Sequence, residues 1–358
     1  MKNQQNSFHK SINKFATVSS VFLVLVALLL SLFILFNPHA PHALQAGEIE
    51  QEPSQTYSLS ESILDTAVPM QDALLRGLQV QVEVTNRGSE LSRNISLEIP
   101  LLAALDSPYQ VLLDEQFSHQ PAAFNMQDVG ARTMTVELPS LGPGESEIII
   151  MDYALASQMG GDGASLLESS TLEDFLRPSH NVESDHAAIQ AKAQEITAGI
   201  RDNRKKVEQI YTFVVSHMNY NGSSSYRNEG ALSALRHKEG VCEDYAALFT
   251  ALCRAAGVPA RVVYGYTDPA GTGEIFQLAS GDTLSLRGYR HAWVEFYLEG
   301  EGWLPADPTF ENGSGTLRYF GSVPHGDRIA QNYLDLSIRG RYRGGQLAIN
   351  WDELLVAH

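Results

Sequence analysis

The sequence predicts an α+β protein: a small β-sandwich followed by a mixed helix-and-strand core, both behind an amino-terminal transmembrane helix. Three observations predict it. A charge-free run of 22 residues, Phe15 to Phe36, lies near the start of the chain. Segments that alternate apolar and polar residues follow between 72 and 156. Apolar residues then recur at helical spacing between 185 and 256, before strand patterns return.

As a helix rising about 1.5 Å per residue, the Phe15–Phe36 run spans roughly 30 Å, the thickness of a hydrocarbon core. A removable signal has an apolar centre of roughly 7–15 residues, which favours an uncleaved anchor. Residues 1–14 carry only Lys2, Lys10 and Lys14 as charges, and lysines stay on the cytoplasmic side. Everything after Phe36 is therefore expected outside the cytoplasm, at the cell membrane on a single pass. The chain's net charge is −17 at 44% hydrophobic and 19% charged residues, values that suit a folded chain. All its acidic residues lie at or beyond Glu48, so the outward part is strongly acidic. That excludes nucleic acid as an expected partner and leaves the membrane contact to the anchor.

Residues 37–71, with Pro38, Pro41 and Pro53 among polar residues, read as a linker. Leu78–Val84 alternates with period two and ends at the turn signal Asn86-Arg87-Gly88. Asn94–Ile99, Tyr109–Leu113, Thr133–Leu138 and Glu147–Tyr153 read as further strands, which places a β-sandwich at 72–156. The Gly-, Ser- and Glu-rich stretch 157–184 connects the domains. Asp185 is the expected cap of a helix that carries Ile189 and Ala193, and Asn203–His217 has an apolar stripe that marks a second helix.

Cys242 and Cys253 are the two cysteines. If Glu243 to Ala256 is helical they stand roughly 16 Å apart, too far for a disulfide. Cys253 reads as a buried mid-helix residue. Cys242 lies at the helix amino end, where unpaired N–H groups and the dipole favour a thiolate, the nucleophilic form. A thiolate needs a base, and the base needs an orienting acceptor. His291 opens the strand His291-Ala292-Trp293-Val294-Glu295-Phe296-Tyr297. The turn at Glu299-Gly300-Glu301-Gly302 returns the chain through Trp303 to Asp307. A three- or five-residue loop, or a bulge, puts His291 and Asp307 on one face. A four-residue loop puts them on opposite faces. Arg261 reads as structural, and Asp244 as shaping the helix start. No zinc-ligand spacing, phosphate loop or calcium loop is present, so no cofactor or metal is expected.

The block from Gly240-Val241-Cys242 through Asp244-Tyr245-Ala246 to Val258-Pro259-Ala260-Arg261, then Tyr264-Gly265-Tyr266, His291-Ala292-Trp293-Val294-Glu295 and Asp307-Pro308-Thr309, resembles the transglutaminase-like superfamily of papain-fold cysteine enzymes. The resemblance implies a papain-like, transglutaminase-like catalytic domain at 185–325 with a strand-rich tail at 326–358. It implies Cys242 as nucleophile, His291 as base and Asp307 as its orienter. Met218-Asn219-Tyr220 resembles the family's segment before the active-site helix, and Tyr220 is a candidate oxyanion donor. The sandwich resembles the immunoglobulin-like companion of such cores. The implied function is acyl transfer or peptide hydrolysis on a protein or peptide substrate, cell-wall peptide among them. A non-catalytic surface-binding or scaffold module that retains the fold is the alternative.

Overall fold

Alternation builds the first half. The computed structural model describes residues 74–103, 110–126, 131–157, 172–270, 276–311, 317–322 and 328–357. The expected anchor and linker lie outside them. Among the described residues no helix is long and apolar enough to cross a membrane. Strands β1 (Leu74–Asn86), β2 (Arg93–Leu101), β3 (Gln110–Phe117), β4 (Ala123–Met126), β5 (Arg132–Leu138) and β6 (Ser146–Ser157) come first. Leu78, Val80, Val82 and Val84 of β1 point the same way, because successive side chains alternate between faces. They share one buried core with Ile95, Leu97 and Ile99 of β2, Met134 and Val136 of β5, and Ile149, Met151 and Tyr153 of β6.

The helices follow: α1 (Ala187–Ile196), α2 (Asn203–His217), α3 (Ala231–His237) and α4 (Cys242–Ala255). The cap of α1 is His186 rather than the expected Asp185. Its backbone is extended, and its Nδ1 accepts the Ala188 N–H at 3.1 Å. The helix starts one residue too late for Asp185 to reach that position. α4 is buried on nearly every side, as a helix apolar all round must be. It packs with α1, α2 and α3 and with the core sheet.

That sheet is antiparallel, in the order β12 (Gly302–Ala306), β11 (Arg290–Leu298), β9 (Ala260–Thr267), β13 (Arg328–Asn332). Within it, Arg261 of β9 pairs with Glu295 of β11 at 2.6 Å, both fully buried. The short strands β7 (Asn219–Tyr220) and β8 (Glu239–Gly240) pair in parallel. The tail supplies β14 (Arg339–Arg343) and β15 (Leu347–Val356), which return to the first unit: β14 pairs with β2, and β15 with β1. β10 (Thr283–Ser285) adds to the free edge of β15. The two sheets are therefore β10-β15-β1-β6-β3 and β14-β2-β5-β4.

The seam between this two-sheet unit and the core runs along β13. Gln110 of β3 acts as a surrogate strand residue: its Nε2 donates to the Ala330 carbonyl at 2.7 Å, and its Oε1 accepts the Ala330 N–H at 3.0 Å. The Ala103 N–H bonds the Gln331 carbonyl at 2.9 Å. On the other side of β13, Gly265 of β9 faces His291 in register. A Cβ at Gly265 would sit 2.1 Å from the Ile329 carbonyl oxygen and 2.9 Å from the Trp293 ring. Overpacking of this kind costs about 1–3 kcal/mol. Gly265→Ala is expected to lose that much in urea denaturation, and an unchanged midpoint would contradict the tight seam.

Candidate active site

The site begins at the amino end of α4. Val241 is its extended cap residue, and Asp244 folds back so that Oδ2 accepts the Val241 N–H at 2.9 Å. The fold-back needs the preceding glycine, because a Cβ on Gly240 would lie 2.3 Å from Asp244 Oδ2. Cys242 is the first helical residue and is 8% exposed. Cys253, eleven residues on in the same helix, is fully buried, and both thiols are free. The Cys242 Sγ donates to Glu243 Oε2 at 3.0 Å. Burial pushes the thiol well above its ordinary range. The Glu243 charge and hydrogen bond push it further, while a bond from the Ala292 backbone acts in the opposite direction. That last contact sets the sulfur against β11 one residue beyond His291.

The hairpin resolves the question of register. Leu298 pairs with Gly302, leaving the three-residue loop Glu299-Gly300-Glu301, and Val294 pairs with Ala306. The next position along, Asp307, therefore falls opposite Trp293, on the same face as His291. Gly300 and Gly302 take positive φ, 82° and 79°, which lets so short a loop close. His291 Nε2 donates to Asp307 Oδ2 at 2.7 Å. A carboxylate on Nε2 fixes the proton there and leaves Nδ1 as the basic nitrogen. Phe310 stacks on the imidazole at 4.6 Å between centroids, with the planes 10° apart.

Asp307 has no exposed surface. Its Oδ1 accepts the backbone N–H groups of Thr309 and Phe310 at 3.1 and 3.3 Å. Its Oδ2 also pairs with Arg328 Nη2 at 2.7 Å. Burial alone would raise this carboxyl, but the charges and hydrogen bonds of His291 and Arg328 hold it well below the usual range. Behind it, the Tyr211 hydroxyl of α2 donates to the Asp307 carbonyl at 3.1 Å.

Tyr220 pairs in register with Gly240, two residues before the thiol, and is half exposed. Burial raises its hydroxyl, and the neighbouring Cys242 and Glu243 raise it further. A cleft of about 430 Å³ opens beside His291, bounded by core and two-sheet residues alike. Glu243, Tyr264, Arg290, Asp335 and Trp351 are among its walls. Among the described residues no cluster of His, Cys, Asp and Glu could hold a metal ion. Sequence reasoning marks Glu243 as one of the acidic pair flanking the thiol and passes over Arg328. Arg328 lies twenty-one residues past Asp307, and no local pattern marks it.

Residues 190–308 match the family model of the transglutaminase-like superfamily. This stretch is similar to transglutaminase-like domains. It contains Cys242, His291, Asp307 and Tyr220, and ends before Arg328. The chain is 40% identical over 75 residues to the protein-glutamine gamma-glutamyltransferase of Pseudomonas aeruginosa, 21% of this chain and 10% of that protein. It is 23% identical over 232 residues to the kyphoscoliosis peptidase of Mus musculus, 56% of this chain and 33% of that protein. In both, the shared stretch is less than half of the relative's own length. A solved candidate cysteine protease from Cytophaga hutchinsonii superposes with a TM-score of 0.46 at 19% identity, over 78% of this chain and 91% of that one.

The Glu243 contact makes the thiol testable without a substrate. Glu243→Gln removes the anion beside the sulfur. Alkylation of Cys242 by iodoacetamide at pH 7 is expected to speed up, roughly ten-fold for each unit by which the thiol falls. An unchanged rate would show that Glu243 does not restrain the thiol.

Proposed function

We propose that this protein is an extracytoplasmic, membrane-anchored cysteine enzyme that acts on amide bonds, by acyl transfer or peptide hydrolysis, through Cys242, His291 and Asp307. The observation that supports it most is the fully buried Asp307 carboxylate on His291 Nε2 at 2.7 Å, with the Cys242 sulfur of α4 against the backbone of Ala292, the residue after His291. That pairing orients an imidazole whose free nitrogen can act as a base, and a lone structural histidine has no need of it.

In this reading the thiol bound to Glu243 is the resting state. A substrate entering the cleft displaces that contact, and the Nδ1 nitrogen of His291 takes the thiol proton. The thiolate forms a bond to the carbonyl carbon, and the negative charge moves to the carbonyl oxygen. The Cys242 backbone N–H and the Tyr220 hydroxyl are the proposed donors to that oxyanion. His291 then returns its proton to the departing nitrogen, and the carbon–nitrogen bond breaks. Water or an amine resolves the thioester and frees the thiol. The two-sheet unit is proposed as an immunoglobulin-like companion that walls the cleft, and the substrate as a protein or peptide, cell-wall peptide among them.

One observation favours the second reading, a binding or scaffold module: burial, and after it the charge and hydrogen bond of Glu243, raise the thiol. The two separate by experiment. Amine incorporation into a glutamine-bearing protein and release of amines from a cell-wall peptide are measured for the wild type and Cys242→Ala. The variant is expected to lose whichever activity is present by about 10⁴-fold. A variant that keeps its full rate would sink the enzymatic reading.

A further inference from the structure

We propose that Arg328, which lies outside the transglutaminase-like stretch, is a positioning residue for the Asp307–His291 pair, and that the two-sheet unit holds it in place. The geometry carries this. Arg328 is 2% exposed, and its Nη2 lies 2.7 Å from the same Oδ2 that accepts His291 Nε2. Its guanidinium also lies 5.2 Å from the Trp293 ring centroid and 5.5 Å from that of Phe310, the ring stacked on His291. One cation thus contacts the carboxylate and both aromatic neighbours of the imidazole.

The backbone of Arg328 is fixed from the other unit. Arg76 of β1, itself buried, donates through Nη1 to the Arg328 carbonyl at 3.1 Å and to Ser157 Oγ at 3.3 Å. Two residues on, Gln110 holds both polar backbone groups of Ala330. A line of direct contacts therefore runs from β1 through Arg328 and Asp307 to His291.

A shared carboxylate has a chemical consequence. Arg328 takes part of the Asp307 charge that would otherwise face the imidazole alone, and its own positive charge opposes a second one on the ring. Other charged and titratable groups around the pair are Cys242 and Glu243 of α4, Tyr211 of α2, Tyr264 of β9, Glu311 after β12 and Asp335 after β13. Arg290 on β11 is met by Glu353 of β15 at 3.0 Å, which balances it. None of these touches the Asp307 carboxylate as Arg328 does. Replacing Arg328 with a neutral side chain leaves the Asp307 carboxylate to His291 alone and removes the cation from beside both aromatic neighbours of the ring.

This rests on the cysteine-enzyme reading, and the test separates the two. The rate of Cys242 alkylation by iodoacetamide is followed from pH 5 to 10 in the full chain, with Cys242→Ala as the blank. In R328Q the alkylation profile is expected to move along the pH axis by roughly one unit relative to the wild type. R328K, which keeps the charge, is expected to restore the wild-type position. Coincident profiles for the wild type and R328Q would overturn the role of Arg328 and leave the enzyme reading standing. A wild-type thiol that does not react at any pH would overturn the enzyme reading instead. Should R328Q not fold, R76M is measured in its place: a shifted profile supports the proposal, and an unshifted profile overturns it.

Discussion

A carboxylate sealed from water has to be compensated by charge and hydrogen bonds, or it takes up a proton. Asp307 meets that demand with contacts from separate segments: the imidazole of β11, the guanidinium of β13 and two N–H groups of its own turn. The Tyr211 hydroxyl from α2 fixes the carbonyl of the same residue. Strands and helix are drawn together around one buried anion. The three-residue hairpin loop, the glycine opposite His291 and the seam along β13 all serve to bring those donors within reach.

The sequence showed the elements better than their assembly. Alternation located β1, β2, β5 and β6, because each buries one face more deeply than the other. The stripe of Val207, Ile210, Tyr211 and Val214 marked α2 with both of its ends. β4 carried no signal, since all four of its residues are exposed. α3 is two turns long, too short for a period to register. The cap of α1 was misplaced by one residue because aspartate is the commoner cap and nothing local favours His186.

The candidate site divides in the same way. Cys242, His291 and Asp307 sit in dense local patterns, and their residue types suit the chemistry. Whether His291 and Asp307 share a face depended on one residue of loop length, which the glycines at 300 and 302 permit and composition alone does not fix. Arg328 comes from a strand that only tertiary packing brings alongside. The tail likewise had no assignable role in the linear reading. Its last strand, β15, is placed by β1, a partner more than two hundred and fifty residues earlier.

That pairing has a consequence for how the protein comes into being. Val82 lies against Trp351, so the central strand of the larger sheet waits for a partner made near the other end of the described chain. Loop closure over such a span is slow compared with local helix formation. Until residues 347–356 have emerged, β1 presents a bare hydrogen-bonding edge, and the cleft lacks the wall that carries Ile349 and Trp351. The nascent polypeptide is therefore vulnerable to edge-to-edge aggregation during synthesis, and the cleft is completed only when the final strand zips home.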